Sequence, residues 1–360
     1  MRAPGRSWRR SVVEGRPAGF GRTPPPPPPG PPVLDDLTAA SLLPERPARG
    51  HKGSFGKLLV LAGSLDFAGA ALLVCRSAGR AGAGLITLAV PESLQPLFAA
   101  RVVETITMAL PEDDVEEVEP EQALSRILDH DHDALVVGPG LRPGLATTEL
   151  IRALLARRDD DAAVPVLLDA EALRSLATIE AWWKAVNRPA VLTPHVGEFG
   201  RLRTASGRDA DADGDLMNDD EARAAATVDA ARAWGQVVVL KGARTVIAAP
   251  DGAVAVAPFE NPALASAGTG DVLSGTIGSL LAQGVAPFAA ARLGVYLHGL
   301  AGEAVRARIG DAGLLASDLP DEIAYARRRL TVLAERRSPS KRVGFGSRET
   351  SAEAAPGATS

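Results

Sequence analysis

Short apolar runs alternate along this chain with longer stretches in which apolar side chains recur at a helical period. The short runs predict strands at residues 57–62, 84–90, 133–137, 164–169, 190–193, 236–240, 245–248 and 253–256. The longer stretches predict helices at residues 69–81, 121–129, 145–157, 220–233, 269–283, 287–309 and 317–330. This alternation predicts an α/β fold with a mostly parallel central sheet. Because several strands lack polar alternation, we expect helices on both faces of the sheet.

The two ends of the chain differ from this body. Residues 1–45 include the proline run Pro24–Pro29 and many arginines but little apolar periodicity, which predicts a disordered leader. Residues 336–360 are rich in Ser, Arg, Gly and Ala, which predicts a disordered tail. We therefore expect one folded domain over residues 46–335.

Composition narrows the class of protein. The net charge is −5 with acids and bases interspersed, so nucleic acid is not an expected partner. Cys75 is the only cysteine, which excludes an intrachain disulfide and favours the cytoplasm. Since no apolar run approaches the roughly 20 residues needed to cross a bilayer, no membrane association is expected.

The most informative stretch is residues 261–275, where small residues and one acid precede an apolar helix. Gly268 and Gly270 flank Thr269 and let the backbone approach a ligand closely, while the free N–H groups of a helix start favour phosphate. Asp271 would then stand beside that phosphate as a base for a substrate hydroxyl. The alternative is an acid that only complements the helix dipole.

Other reactive side chains follow predicted strands, so they should gather at the carboxyl edge of the sheet. The segment of Lys241, Gly242, Ala243, Arg244 and Thr245 suits a nucleotide phosphate; alternatively it is a hairpin with a solvated lysine.

Two acids and two histidines have competing interpretations. His195 either contacts a substrate or begins a helix, and Glu198 either holds a metal through water or charges that helix's first turn. Asp169 is explained at least as well as the cap of a helix that starts at Glu171, so it is left out of the catalytic set. His298 is expected to be a packing residue.

Residues 209–220 repeat the acid spacing of a calcium loop, but Asp220 replaces the glutamate of the twelfth position. A solvated loop that caps the next helix is the favoured interpretation.

With these motifs the chain resembles the ADP-dependent NAD(P)H-hydrate dehydratases of the ribokinase-like superfamily. The resemblance extends from about residue 51 to residue 330. The similarity is carried by six segments in the family's order: residues 51–56, residues 68–71 with 81–84, residues 138–140, residues 193–199, Lys241-Gly242 and the Asp271 loop. Val196, Ala267 and Ala68 depart from the family's usual Pro, Gly and Pro.

The resemblance implies a ribokinase-like three-layer α/β/α fold and the ADP-dependent dehydration of hydrated NADH or NADPH, giving AMP and phosphate. It implies that Ala70, Gly140, His195 and Asp271 contact the hydrated coenzyme. Lys241 to Thr245, with Gly268, Thr269 and Gly270, would hold ADP, with Mg²⁺ on its phosphates.

The resemblance also implies a homo-oligomer that works with a separate NAD(P)H-hydrate epimerase. The alternative function is a small-molecule kinase of the same superfamily acting on a vitamin-precursor alcohol.

Overall fold

The computed structural model describes residues 30–113, 117–157, 164–208 and 215–337. In these residues nine strands form one sheet. The strands are β1 (Lys57–Leu61), β2 (Leu85–Pro91), β3 (Ile106–Leu110), β4 (Ala134–Val137), β5 (Val166–Leu168), β6 (Ala190–Leu192), β7 (Val237–Leu240), β8 (Val246–Ala248) and β9 (Val254–Val256).

Twelve α-helices lie in the same described ranges. They are α1 (Asp36–Ser41), α2 (Ala68–Ala81), α3 (Gln95–Ala99), α4 (Pro120–Leu128), α5 (Leu145–Ala156), α6 (Glu171–Leu176), α7 (Trp182–Ala185), α8 (Val196–Ala205), α9 (Asp220–Trp234), α10 (Thr269–Ala282), α11 (Pro287–Ile309) and α12 (Leu319–Arg337). None of the described helices is both long and apolar enough to cross a membrane.

The strand order is β3-β2-β1-β4-β5-β6-β7-β8-β9, parallel from β3 to β7 and antiparallel at β7-β8-β9. Leu61 pairs with Val137, which pairs with Leu168, which pairs with Leu192. Because these four strands end level with one another, the loops that follow them lie side by side at the carboxyl edge. The chain passes from one side of β1 to the other between β3 and β4, and α/β sheets open a ligand crevice where the strand order switches in this way.

Two hydrophobic cores enclose the sheet. The first core packs α1, α2, α3, α10, α11 and α12 on one face. The second core packs α4 to α9 on the other face. Apolar side chains of the parallel strands enter both cores. This explains why the sequences of these strands are continuous apolar runs without polar alternation. The predicted three-layer α/β/α architecture is confirmed.

Helices α2 and α10 pack backbone to backbone. A Cβ atom at Gly275 of α10 would lie 2.2 Å from the carbonyl oxygen of Val74 and 2.1 Å from Oγ of Ser77, both on α2. Only glycine permits this approach, since real Cβ contacts are never so short. The contact fixes α10 against the helix that begins at Ala68.

All eight predicted strands and all seven predicted helices are present, with shifts of one or two residues at most ends. The prediction omitted β3, an edge strand with only Met108 and Leu110 buried among its five residues. It also ended the last helix at residue 330, whereas α12 continues to Arg337.

The predicted disordered leader ends too late in the sequence. Residues 33–42 belong to the folded body: the N–H of Leu34 donates to the carbonyl of Val256 at 2.8 Å, and α1 packs on the first core. The Tyr296 hydroxyl donates to Asp36 at 2.9 Å. Residues 1–29 and 338–360, and residues 209–214 of the suggested calcium loop, lie outside the described residues.

Two leucines in this N-terminal segment test whether it is folded. Leu34 is 4% exposed and Leu37 is 44% exposed. We expect Leu34→Ala to lower the free energy of unfolding by about 2 kcal/mol, because it empties a buried site. The matched Leu37→Ala should change it by less than about 0.5 kcal/mol. Urea denaturation measures both, and equal, negligible effects would show that residues 33–42 do not pack.

Candidate active site

The first turn of α10 forms an uncapped anion cradle. Gly268 precedes the helix in a left-handed conformation, with φ 86°, and no side chain among the described residues caps the helix. The N–H groups of Gly270 and Asp271 lie in the first turn of a helix whose dipole favours an anion, while the N–H of Thr269 donates to the carbonyl of Ser266 at 3.4 Å. Asp271 is the only acidic residue in this turn. The turn has the local structure that the sequence predicted.

A buried ion pair lies next to this turn. Nζ of Lys241, which follows β7, donates to Oδ1 of Asp169, which follows β5, at 2.7 Å. The other oxygen, Oδ2 of Asp169, accepts a 2.7 Å hydrogen bond from the hydroxyl of Ser274 on α10. Asp169 is 1% exposed. It thus joins the cation to the helix that carries Asp271.

Burial and charge shift the pKa of Asp271. Burial first, and then the negative charge of Asp169, raise the pKa of Asp271 from 3.8 to about 7, while Lys241 opposes the shift. Burial by itself would lower the pKa of Lys241, but Asp169 and Glu198 outweigh it, so this pKa is raised and the lysine stays charged. A carboxyl group with a pKa near 7 can accept and release a proton at neutral pH.

A cavity of about 430 Å³ opens beside the cradle. Its volume lies in the range of small-molecule sites, about 300–1,000 Å³. Six of the eight residues predicted to hold a nucleotide line it: Lys241, Gly242, Ala243, Thr245, Thr269 and Gly270. Gly268 lies outside this lining, and Arg244 turns away, with φ 50° and its Nε 2.7 Å from Oδ2 of Asp220.

Lys241 to Thr245 form the β7–β8 hairpin, as one interpretation of the sequence had it. That interpretation also expected a solvated lysine, which is wrong because the Lys241 side chain is only 20% exposed and is paired with Asp169. Gly242 occupies φ 147°, where a Cβ would lie 2.9 Å from the Arg223 guanidinium. At Gly242 the turn therefore presents only backbone atoms to the cavity.

His195 and Glu198 form the start of α8. Nδ1 of His195 accepts from the N–H groups of Gly197 and Glu198, at 3.0 and 3.3 Å, and Oε2 of Glu198 accepts from the N–H of His195 at 3.0 Å. This reciprocal capping box gives both residues the structural roles considered above. Oε2 of Glu198 also lies 3.8 Å from Nζ of Lys241, and the His195 side chain is 53% exposed. Glu198 therefore lies next to the ion pair of Lys241 and Asp169, and His195 lies next to Glu198.

Ala70 and Gly140 meet where β1 and β4 end. A Cβ on Gly140, which has φ 67°, would lie 2.8 Å from Cβ of Ala70 and 2.6 Å from the carbonyl oxygen of Phe67. Gly138, two residues earlier, lies against the backbone of Asp169. A continuous row of contacts thus runs from the predicted substrate residues to the ion pair.

Sequence reasoning missed two residues of this site. Asp169 does not cap α6, whose first turn lacks a side-chain cap; it binds Lys241 instead. The sequence feature that could have identified Asp169 as a site residue is its position directly after the buried strand β5. His298 packs as predicted, but its Nε2–H also donates to the carbonyl of Thr269 at 3.0 Å. Its ring lines the cavity of about 430 Å³ beside the cradle. Burial lowers the pKa of His298 to about 4, so the ring is neutral.

This fold and site define a class: α/β proteins with an uncapped helix N-terminus beside a titrating carboxyl group at the carboxyl edge of the sheet. A sequence model of the NAD(P)H-hydrate dehydratase family matches residues 58–324. The chain belongs to that family, and the resemblance inferred from its motifs is confirmed.

Individual relatives support the same family. The chain is 42% identical to the bifunctional NAD(P)H-hydrate repair enzyme of Moorella thermoacetica over 82% of its own length but only 54% of that protein. It is 36% identical to the ADP-dependent (S)-NAD(P)H-hydrate dehydratase of Xanthomonas campestris, over 81% and 96% of the two chains. The chain thus spans about half the length of the bifunctional relatives.

A crystal structure of the ADP/ATP-dependent NAD(P)H-hydrate dehydratase from Bacillus subtilis, co-crystallised with ATP and Mg²⁺, superposes with a TM-score of 0.67. The two sequences are 31% identical, and the match covers 84% of this chain and 99% of that one. The ribokinase-like fold is confirmed.

The raised pKa of Asp271 makes stability depend on pH. The folded state binds a proton at this carboxyl up to about pH 7, while the unfolded chain releases it near pH 4, so stability falls as pH rises through this window. Asp271→Asn removes the effect. We expect the variant to match the wild type near pH 4 and to exceed it by on the order of 4 kcal/mol near pH 8.

Thermal or urea unfolding of both proteins across this range measures the difference. A difference that is the same at both ends of the range would show that Asp271 does not titrate there.

Proposed function

We propose that this protein uses ADP to dehydrate (6S)-hydrated NADH or NADPH, restoring the reduced coenzyme and releasing AMP and phosphate. The observation that carries the proposal is the carboxyl group of Asp271, with a pKa of about 7, at an uncapped helix start beside a nucleotide-sized cavity. Membership of the dehydratase family supports the same reaction.

In the first step Asp271 takes the proton of the hydroxyl on the hydrated ring. The hydroxyl oxygen forms a bond to the β-phosphorus of ADP, and the bond from that phosphorus to the bridging oxygen breaks, so AMP leaves with the electron pair. Lys241 and the N–H groups of the α10 turn stabilise the negative charge on the transferred group.

In the second step the ring carbon loses phosphate, which takes the C–O electron pair, and the neighbouring carbon loses a proton to water, while its C–H electron pair forms the new double bond. The double bond of the reduced nicotinamide is restored. Phosphate leaves more readily than hydroxide at neutral pH, which explains why a dehydratase would carry a kinase-like cradle. The net change is loss of water from the coenzyme and hydrolysis of ADP.

The described side chains divide between the two substrates in this scheme. Lys241 to Thr245 and Gly268 to Gly270 hold ADP, and the lining of the nucleotide cavity by six of these residues supports that assignment. The hydrated coenzyme contacts Ala70, Gly140, His195 and Asp271. The contact between Ala70 and Gly140 supports this second group.

Magnesium fits the site through the phosphates of ADP, whose charge it would neutralise. No cluster of three metal-binding side chains occurs within the ranges that the structure describes. Oε2 of Glu198 is held by the N–H of His195, so this carboxylate fits a role through a water molecule rather than direct coordination.

The remaining assignments rest on the relatives. The chain matches about half of the bifunctional repair enzyme, and we propose that an NAD(P)H-hydrate epimerase is its functional partner. We also propose a cytoplasmic homo-oligomer, and the single buried, free thiol of Cys75 is in keeping with a reducing compartment.

Incubation of the purified protein with hydrated NADH and either ADP or ATP tests the proposal. Recovery of the absorbance of reduced nicotinamide, with AMP formed when ADP is the donor, supports it. A stable phosphorylated product with no recovered absorbance would favour the kinase, and no nucleotide turnover would contradict both enzymes.

Asp271→Asn keeps the size of the side chain but removes the base. We expect kcat to fall by about 100-fold or more, because a positioned base contributes about 10²–10⁴, while the Kd for ADP changes little. Steady-state kinetics and calorimetry measure the two quantities. Asp251→Asn, in an exposed hairpin turn, is the control and should leave both unchanged. An active Asp271→Asn protein would rule out this base.

The negative charge of Asp169, added to the larger effect of burial, should raise the pH at which the reaction becomes fast. In the wild type kcat/KM should rise with pH through about 7 as Asp271 loses its proton. Asp169→Asn removes a charge that raises the pKa of Asp271, so the midpoint should move to lower pH. Ser274→Ala, which removes only a hydrogen bond to Asp169, is the control and should move it less. A midpoint shift to higher pH in Asp169→Asn would contradict this role.

A further inference from the structure

His298 is a buried polar residue that the proposed reaction does not use. It lies on α11 and is 9% exposed, and its ring lines the cavity beside the cradle. Its Nε2 atom lies 3.0 Å from the carbonyl oxygen of Thr269, the first residue of α10. Because buried polar atoms in proteins are nearly always hydrogen-bonded, the second ring nitrogen is also expected to have a partner.

The contact with Thr269 fixes the tautomer of the His298 ring. A carbonyl oxygen can only accept, so Nε2 carries the hydrogen. Burial lowers the pKa of His298 to about 4, and Lys241 adds to this effect, while the hydrogen bond to Thr269 opposes it. The ring is therefore neutral at pH 7, and Nδ1 keeps its lone pair. Among the described residues Nδ1 has no hydrogen-bond partner, so the cavity wall offers an acceptor to a ligand.

An acceptor at this place restricts which part of ADP can lie against it. The phosphate oxygens and the ring nitrogens of adenine are acceptors, so neither can bond to the lone pair of Nδ1. ADP offers donors at only two places, which are the hydroxyls of the ribose and the amine of adenine. One of these two groups must therefore meet His298.

The position of His298 favours the ribose. The phosphate end of the cavity is marked by Gly270, where a Cβ would lie 3.6 Å from Nζ of Lys241. His298 bonds the residue directly before Gly270, close to that end. In ADP the ribose carries the phosphates, whereas the amine lies at the far side of the base. The ribose hydroxyls are thus the donors nearest to the phosphate end.

The rest of the cavity suits the base. Its apolar lining consists of Ala257, Phe259, Pro262, Leu264, Leu273 and Val295. A Cβ at Gly299, the residue after His298, would lie 2.1 Å from Cδ2 of Phe259, so the Phe259 ring lies directly against α11. Flat apolar surfaces of this kind accommodate a purine ring. A base held there, with its phosphates at Gly270, leaves the sugar beside His298.

We propose that Nδ1 of His298 accepts a hydrogen bond from a ribose hydroxyl of the bound nucleotide, so that this side chain selects ribonucleotides over deoxyribonucleotides. The inference rests on the proposed function for the identity of ADP. It makes His298 a specificity-determining residue that acts on the sugar and takes no part in the proton transfer at Asp271.

Calorimetric titration of the wild type with ADP, 2′-deoxy-ADP and 3′-deoxy-ADP tests the inference. One of the two deoxy nucleotides should bind about threefold to tenfold more weakly than ADP, because it leaves a buried acceptor unpaired. The nucleotide that loses affinity identifies the hydroxyl. Equal Kd values for all three nucleotides would overturn the inference without any variant.

Two substitutions test whether His298 causes this discrimination. His298→Leu removes both ring nitrogens, so ADP and the deoxy nucleotide should bind equally well, even if loss of the contact with Thr269 weakens both. His298→Gln has an amide that can donate to Thr269 and an oxygen that can accept, so it should restore part of the discrimination.

Val295→Ala, about one turn earlier in the same cavity wall, is the matched control and should keep the wild-type ratio of the two Kd values. A purely structural role for His298 predicts a different result. His298→Leu would then weaken every nucleotide by the same factor and leave the ratio unchanged, which would contradict the inference.

Inosine diphosphate separates the sugar from the base. It keeps the ribose of ADP but has a carbonyl oxygen in place of the amine. His298→Leu should leave the discrimination between ADP and inosine diphosphate unchanged. If it abolished that discrimination and kept the discrimination against the deoxy nucleotide, His298 would contact the base and the inference would be wrong.

These titrations also separate the inference from the proposed function. If the protein binds ADP but does not restore hydrated NADH, the proposed function fails and the ratio of Kd values still decides the role of His298. If it restores the coenzyme but binds ADP and both deoxy nucleotides equally well, only the inference fails. No binding of ADP would overturn both.

Discussion

The ion pair between Lys241 and Asp169 is the interaction on which the site depends. Asp169 is almost fully buried and Lys241 is 20% exposed, so the carboxylate would be left buried and unpaired if it lost the lysine. The carboxylate of Asp169 has both oxygens engaged, one by Lys241 and one by Ser274, so charge and geometry are satisfied together. The same carboxylate raises the pKa of Asp271. Asp169 therefore holds Lys241 in place and adds to the effect of burial, which is the larger cause of the raised pKa of Asp271.

Much of this arrangement follows from local sequence. The glycines around Thr269 and the strand ending at Leu240 are short-range signals, and they locate the cradle and the lysine correctly. The pair itself is not local, because 72 residues separate Asp169 from Lys241. Only the register of β5, β6 and β7 brings them together. The position of Asp169 after a buried strand predicts that it lies at the carboxyl edge, but it does not predict which cation it meets there.

The elements that sequence reasoning missed are those whose stability comes from tertiary contacts. Strand β3 has one open edge and mixed burial, so its apolar pattern is weak. Helix α1 has six residues and depends on the first core and on the hydrogen bond from Tyr296 to Asp36, 260 residues away. Val196 and Ala68, where the family has proline, are each the first residue of a helix. Proline there only presets φ, so its loss leaves the helix hydrogen bonds intact.

Gly275 has a consequence for how the molecule can move. Because α10 and α2 touch through their backbones, neither helix can slide along the other without a collision at Ser77 or Val74. Helix α10 carries Asp271 and α2 carries Ala70 in its first turn, so these two residues are held on one tightly packed pair of helices. Replacing Gly275 by a larger residue would push the two helices apart and change the spacing of both residues together.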